Sequence, residues 1–149
     1  MSQSRTFIAD DFEQAPRGRR LFDLWRAKQP LENPIGSFEV DMDAPPDEEL
    51  LREANELAAF VAAEYDAILD AVYEHYLQCA EDRWWMKSCG VPRRLRVDQV
   101  KCYLRSRSIS VRRDPQGAVR GTIYINPQWE PEHGIDLSVV SGRLIRPPL

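Results

Sequence analysis

The sequence predicts an α+β domain in which a mainly antiparallel sheet packs against one long amphipathic helix and a shorter one. Apolar residues recur at helical spacing from Leu50 to Tyr76, and apolar and polar residues alternate in runs between residues 108 and 139. The runs are joined by short, turn-forming connections, which favour antiparallel neighbours. At 149 residues the chain suffices for one domain with a real core and falls short of two. We read a single domain over 1–149, with an irregular N-terminal part over 1–36 and an α+β core over 37–146.

In the N-terminal part, Thr6-Phe7-Ile8 and the run from Arg20 to Trp25 are each candidate strands. Pro16, Gly18, Pro30, Pro34 and Gly36 cut the region into short pieces. Residues 37–42 then alternate, placing Phe38, Val40 and Met42 on one face of a half-buried strand that stops at Ala44-Pro45-Pro46. Asp47 suits a helix N-cap, because its carboxylate can accept from free backbone N–H groups, and Glu48 and Glu49 favour the positive end of the helix dipole. Leu50, Ala54, Leu57, Val61, Tyr65, Ile68, Val72 and Tyr76 follow at spacings of three and four, so one helix is expected to about Cys79. Glu53, Glu56, Glu64, Asp66, Asp70 and Glu74 fall mostly off that stripe and should form a solvated, negative back. His75 reads as a structural or solvated histidine.

Trp84-Trp85-Met86 supplies the shorter helix, which Gly90 and Pro92 end, and it should close one end of the core. Asp98 suits the cap of a helical turn over 99–102. Strands are expected over 108–112, 121–126 and 135–139, with a turn at Pro115-Gln116-Gly117, and Gly142 turns the chain into Leu144-Ile145.

Composition narrows the class further. Hydrophobic residues are 43% and charged residues 30%, which argues against disorder, and the four tryptophans need burial or a partner. No apolar run approaches the ~20 residues that span a bilayer, and the first residues lack the apolar stretch of a signal peptide. Three cysteines without a C-x-x-C pair form neither a disulfide framework nor a familiar zinc pattern, so a reducing, cytoplasmic setting is expected. The net charge of −4 hides an asymmetry: residues 41–82 hold 13 acids against Arg52, and residues 83–120 hold 11 bases against Asp98 and Asp114. Pairing between helix and sheet accounts for part of this, and a partner-binding face for the rest.

The segment Trp129-Glu130-Pro131-Glu132-His133-Gly134 lies at a tight connection between two expected strands, where side chains are presented in fixed positions. Gly134 can take a positive φ, Pro131 stiffens the entry, and Glu132 and His133 can tie the loop by hydrogen bonds beneath a Trp129 that closes the core. The same residues can instead contact a partner. Acid–base catalysis by Glu130, Glu132 and His133 is poorly served, since neighbours on an extended segment point in opposite directions. The two histidines and three cysteines show no zinc spacing, Cys89 before Gly90 is the best nucleophile but such cysteines are more often core, and phosphate-binding glycine loops are absent. No catalytic residue, metal or cofactor is therefore expected.

The order of strand, Pro-Pro-Asp-Glu-Glu, long helix, Trp-bearing helix and strands ending in W-x-x-E-H-G-I resembles a family of small bacterial α+β domains of unknown biochemistry, some of them immunity proteins of polymorphic toxin systems. The resemblance covers roughly 37–145 and is most specific at Trp129, Glu132, His133 and Gly134. It implies a non-enzymatic protein that binds and neutralises a cognate toxin, and it carries no catalytic residues. The contact residues expected on this reading are Glu56, Glu64 and Asp70 on the acidic back, with Asp41 and Asp43 nearby, and Trp129, Glu132 and His133 in the loop. Two alternatives stay open: nucleic-acid binding through the arginine-rich 93–113 segment, which an acidic helix would oppose, and a small enzyme centred on Glu132 and His133.

Overall fold

The computed structural model describes residues 5–16, 18 and 23–145. Seven strands form one sheet in chain order: β1 (Phe12–Gln14), β2 (Trp25–Ala27), β3 (Glu39–Met42), β4 (Leu104–Arg113), β5 (Val119–Pro127), β6 (Ile135–Val140) and β7 (Arg143–Ile145). Neighbours are antiparallel except β3 and β4, which are parallel. That exception follows from the connection. Three helices, α1 (Glu48–Ala63), α2 (Tyr65–Cys79) and α3 (Arg83–Cys89), lie between β3 and β4 and carry the chain back before it re-enters the sheet.

Asp47 caps α1 as its sequence suggests, its Oδ1 accepting from the Leu50 N–H at 2.9 Å. The apolar stripe is in phase: Leu50, Ala54, Leu57, Val61, Ile68, Val72 and Tyr76 are all buried. The single long helix, however, is two helices that meet at Glu64. Asn33 explains the break. Its Nδ2 donates to the Val61 carbonyl at 3.1 Å, the acceptor that the Tyr65 N–H would use in an unbroken helix.

The helices pack on the sheet face that carries Val40, Met42, Ile109, Val111, Ile123, Ile125 and Leu137, all fully buried. Gly121 sets how closely α1 approaches, since a Cβ there would collide with Leu57 Cδ1 and crowd Glu53. The opposite face carries Ser108, Ser110, Arg112, Arg120, Thr122, Tyr124, Asp136 and Ser138, the alternate residues of β4, β5 and β6.

Among the described residues before position 37, β1 and β2 extend the sheet and Phe7, Phe12, Leu31 and Ile35 enter the core, more regular structure than the prolines and glycines there suggest. Thr6-Phe7-Ile8 is not a strand. The Phe7 backbone is clamped by Asn55 of α1, which accepts from its N–H at 2.6 Å and donates to its carbonyl at 3.0 Å. In the second candidate strand only Trp25 falls in β2, and Arg20 to Phe22 lie outside the described residues. Asp98 does not cap the 3-10 turn Val100–Tyr103; it pairs with Arg96 at 3.3 Å, while Gln99 Oε1 accepts from the Arg96 N–H.

Candidate functional site

Trp129 is fully buried, so the centre of the motif belongs to the core and not to a contact surface. Its ring meets Tyr76 edge-on at 5.2 Å, and its indole N–H donates to His75 Nδ1 at 3.0 Å. Trp85 of α3 donates its own indole N–H to the Trp129 carbonyl at 2.6 Å, and Gln128 reaches the Cys89 carbonyl at 2.8 Å. The loop is thereby bolted to α2 and α3. Gly134 ends it at φ +68°, directly beneath the Tyr124 ring, where any side chain would collide.

His133 and Glu132 are exposed. The tie that His133 makes within the loop lies at the surface: its side chain is 81% exposed, and Nδ1 lies 3.2 Å from Glu130 Oε1, a pair of about 0–1 kcal/mol at most. Glu130 is the carboxylate that points inward. With His75 and Cys79, four residues apart on α2, it forms a half-buried group whose ligand-type atoms lie within 4.8 Å of one another.

The chemistry of that group is set by its neighbours. An indole N–H only donates, so His75 Nδ1 is the unprotonated nitrogen, and its lone pair is already engaged by Trp129. Burial holds the His75 pKa below its usual 6.5, with Glu130 opposing. Burial, then Glu130, pushes the Cys79 thiol up, and burial does the same for Cys89, so neither thiol is activated as a nucleophile. We read the group as the polar lining that seats Trp129.

A pH dependence follows. A histidine whose folded pKa is depressed is neutral in the native state while the unfolded chain is protonated, so stability falls as pH drops from 6.5 toward the folded value. His75→Asn, which places an uncharged acceptor where Nδ1 sits, should melt at or slightly below the wild type at pH 7, and the gap should close or reverse by about pH 5. Thermal melts at both values check this; a gap independent of pH would show that His75 does not titrate against Trp129.

The acidic residues separate into two places. Glu53, Glu56 and Glu64 line one groove of about 480 Å³ between α1 and the β6–β7 turn, floored by Leu57, Phe60 and Val139. Asp70 is exposed on α2 and does not line it. Glu53 was expected on the solvated back, yet it is half-buried, and burial followed by the adjacent charge of Glu56 raises its pKa. Among the described residues none of Glu56, Glu64 and Asp70 has an ion-pair partner. Asp41 lies on the open face of the sheet, away from the helix acids, where it accepts from Ser110 and where burial pushes its carboxyl up.

Most of the arginine-rich segment serves the fold. Arg107 is half-buried and donates to the Ser37 and Leu104 carbonyls, Arg93 donates to the Ala80 carbonyl, Arg96 pairs with Asp98, and Arg113 binds Asp47 at 2.8 Å and Glu49 at 3.5 Å. Arg113 is the link between the basic strand and the acidic helix. Arg112 lies on the open face of the sheet, opposite Arg120 of β5 and within electrostatic reach of Asp41. The sequence alternation of β4 and β5 held the signal for this face, since from Ser106 to Arg112 and from Arg120 to Asn126 every second residue is Ser, Thr, Tyr, Asn or Arg.

Comparison with protein-family models, curated proteins and solved structures finds no match to the chain. Among the described residues no helix is long and apolar enough to cross a membrane.

Proposed function

We propose that this chain is a non-enzymatic, protein-binding domain of the immunity type, which neutralises a cognate toxin by engaging its basic surface. The groove ringed by Glu53, Glu56 and Glu64 carries this reading. Its apolar floor suits the aliphatic stem of a lysine or arginine, and the carboxylates suit the charged head. The cost of holding Glu53 half-buried next to Glu56 is offset when a cation enters. The polar lining around Trp129 fits the same reading, because it stabilises the domain without activating a nucleophile.

The test is binding kinetics against the toxin domain encoded beside this gene. Opposite charges across an interface mainly accelerate encounter, so the association rate should fall as salt rises while dissociation changes less. Glu56→Lys with Glu64→Lys should slow association by about tenfold or more at low salt. Asp70→Lys, outside the groove, should slow it less. All three residues are exposed, so melting should hold nearly constant. Salt-independent binding that the double variant leaves unchanged would remove the acidic groove from the mechanism.

A further inference from the structure

We infer that the open face of the sheet holds a second site, a groove that binds a neutral saccharide through hydroxyl, phenol and carboxylate groups of β4, β5 and β6. The groove holds about 780 Å³, within the ~300–1,000 Å³ of small-molecule sites, and every side chain that lines it is polar or charged. Strand register builds it. Ser108, Tyr124 and Asp136 stand side by side in one row across the three strands, and Ser110 and Thr122 open the next row, which Ser138, two residues beyond Asp136, completes. Strands about 4.8 Å apart and a two-residue step of about 6.6 Å set these groups on a grid at the scale of a sugar ring.

Most of the grid is uncommitted. Among the described residues no hydrogen bond or ion pair engages the side chains of Ser108, Thr122, Tyr124, Asp136 or Ser138, although the first three are half-buried. Ser110, by contrast, is committed to Asp41. Half-buried groups of this kind gain when a ligand supplies the hydrogen bonds that the protein does not. The phenol is also held in place: Gly134 of the Trp129 loop lies so close to Tyr124 that any side chain there would collide with the ring and its hydroxyl. A group fixed in advance spares the ordering cost of binding.

Charge selects the ligand. Asp41 faces Arg112, Asp114 Oδ2 accepts from Arg120 Nε at 3.0 Å, and Arg113 binds Asp47, so the cations of the groove are already matched by carboxylates. Asp136 has no cation partner among the described residues, and it opposes the entry of an anion. A carboxylate can accept from two neighbouring hydroxyls at once, and such charge-assisted bonds are the strong ones, so a vicinal diol fits it. Ile145, opposite Ser138 in the β6–β7 ladder and 48% exposed, offers an apolar surface to the C–H side of a pyranose.

The experiment is an NMR titration of the full chain with the methyl pyranosides of glucose, galactose, mannose and N-acetylglucosamine, with maltose and cellobiose, and with glucose 6-phosphate. At least one neutral sugar should shift the β4, β5 and β6 amides around Tyr124 and Asp136 saturably, while the helix amides stay in place. A disaccharide that binds more tightly than its monosaccharide marks a glycan chain as the source of the ligand, and equal affinity marks a free sugar. Asp136→Ala and Tyr124→Phe should each weaken binding about fivefold or more, and Glu56→Lys, on the helix side, should bind as the wild type. Thermal melts should confirm that each variant is folded. Absence of saturable shifts with every neutral sugar at tens of millimolar, shifts that survive both groove variants, or glucose 6-phosphate binding far more tightly than methyl glucoside would each overturn the proposal.

Discussion

Val61→Asp is expected to abolish folding at 25 °C, whereas Asp70→Asn should leave the melting temperature nearly unchanged. Val61 is fully buried on the side of α1 that packs on the sheet, and its carbonyl already holds Asn33. A carboxylate there has no cation to meet, and burying it without a partner costs several kcal/mol, against a total stability of about 5–15 kcal/mol for an ordinary domain. Asp70 is exposed and makes no ion pair among the described residues, so its loss touches only surface solvation. Far-UV circular dichroism melts of the two variants decide the matter. Equal midpoints would mean that the helix is rotated from the phase that buries Val61.

The helix phase was legible because burial repeats along it. Leu50, Ala54, Leu57, Val61, Ile68, Val72 and Tyr76 keep their spacing straight through residue 64. For the same reason the break at Glu64 was invisible: it comes from a hydrogen bond made by Asn33, 28 residues away in sequence, which no local period encodes. The parallel pairing of β3 with β4 was hidden likewise, since alternation marks a strand but not its direction. The N-terminal strands are only three residues long, too short to show a period.

The candidate sites divide in the same way. A tight loop before β6 and a buried Trp129 could be read from Trp, Pro and Gly in that order, but His75 as the partner of the indole could not, because the two lie 54 residues apart. Glu132 and His133, the most conspicuous residues of the motif, point outward, and Glu130 points in. Glu56 and Glu64 share a groove between α1 and the β6–β7 turn that Asp70, on α2, does not join. The open sheet face was encoded in the alternation of β4 and β5, yet its opposed arginines become visible only once the register is fixed.

Trp129→Ala should be the most damaging substitution in the motif, lowering stability by about 3–5 kcal/mol, the usual cost of emptying a buried Trp or Phe site. The indole is fully buried against Tyr76, so its removal leaves a cavity between α2 and the loop, and the His75 lone pair loses its donor. Trp129→Phe separates the two effects. A phenyl ring retains most of the packing but has no N–H, so this variant should lose about 1–3 kcal/mol, much of it the penalty for an unpaired buried acceptor, and combining it with His75→Leu should recover part of that loss. Urea denaturation of the single and double variants measures each step, with non-additivity as the sign that the two side chains act on one another. By contrast, a His133→Ala variant as damaged as Trp129→Ala would contradict the outward placement of His133 and return it to the role of a buried tie within the loop.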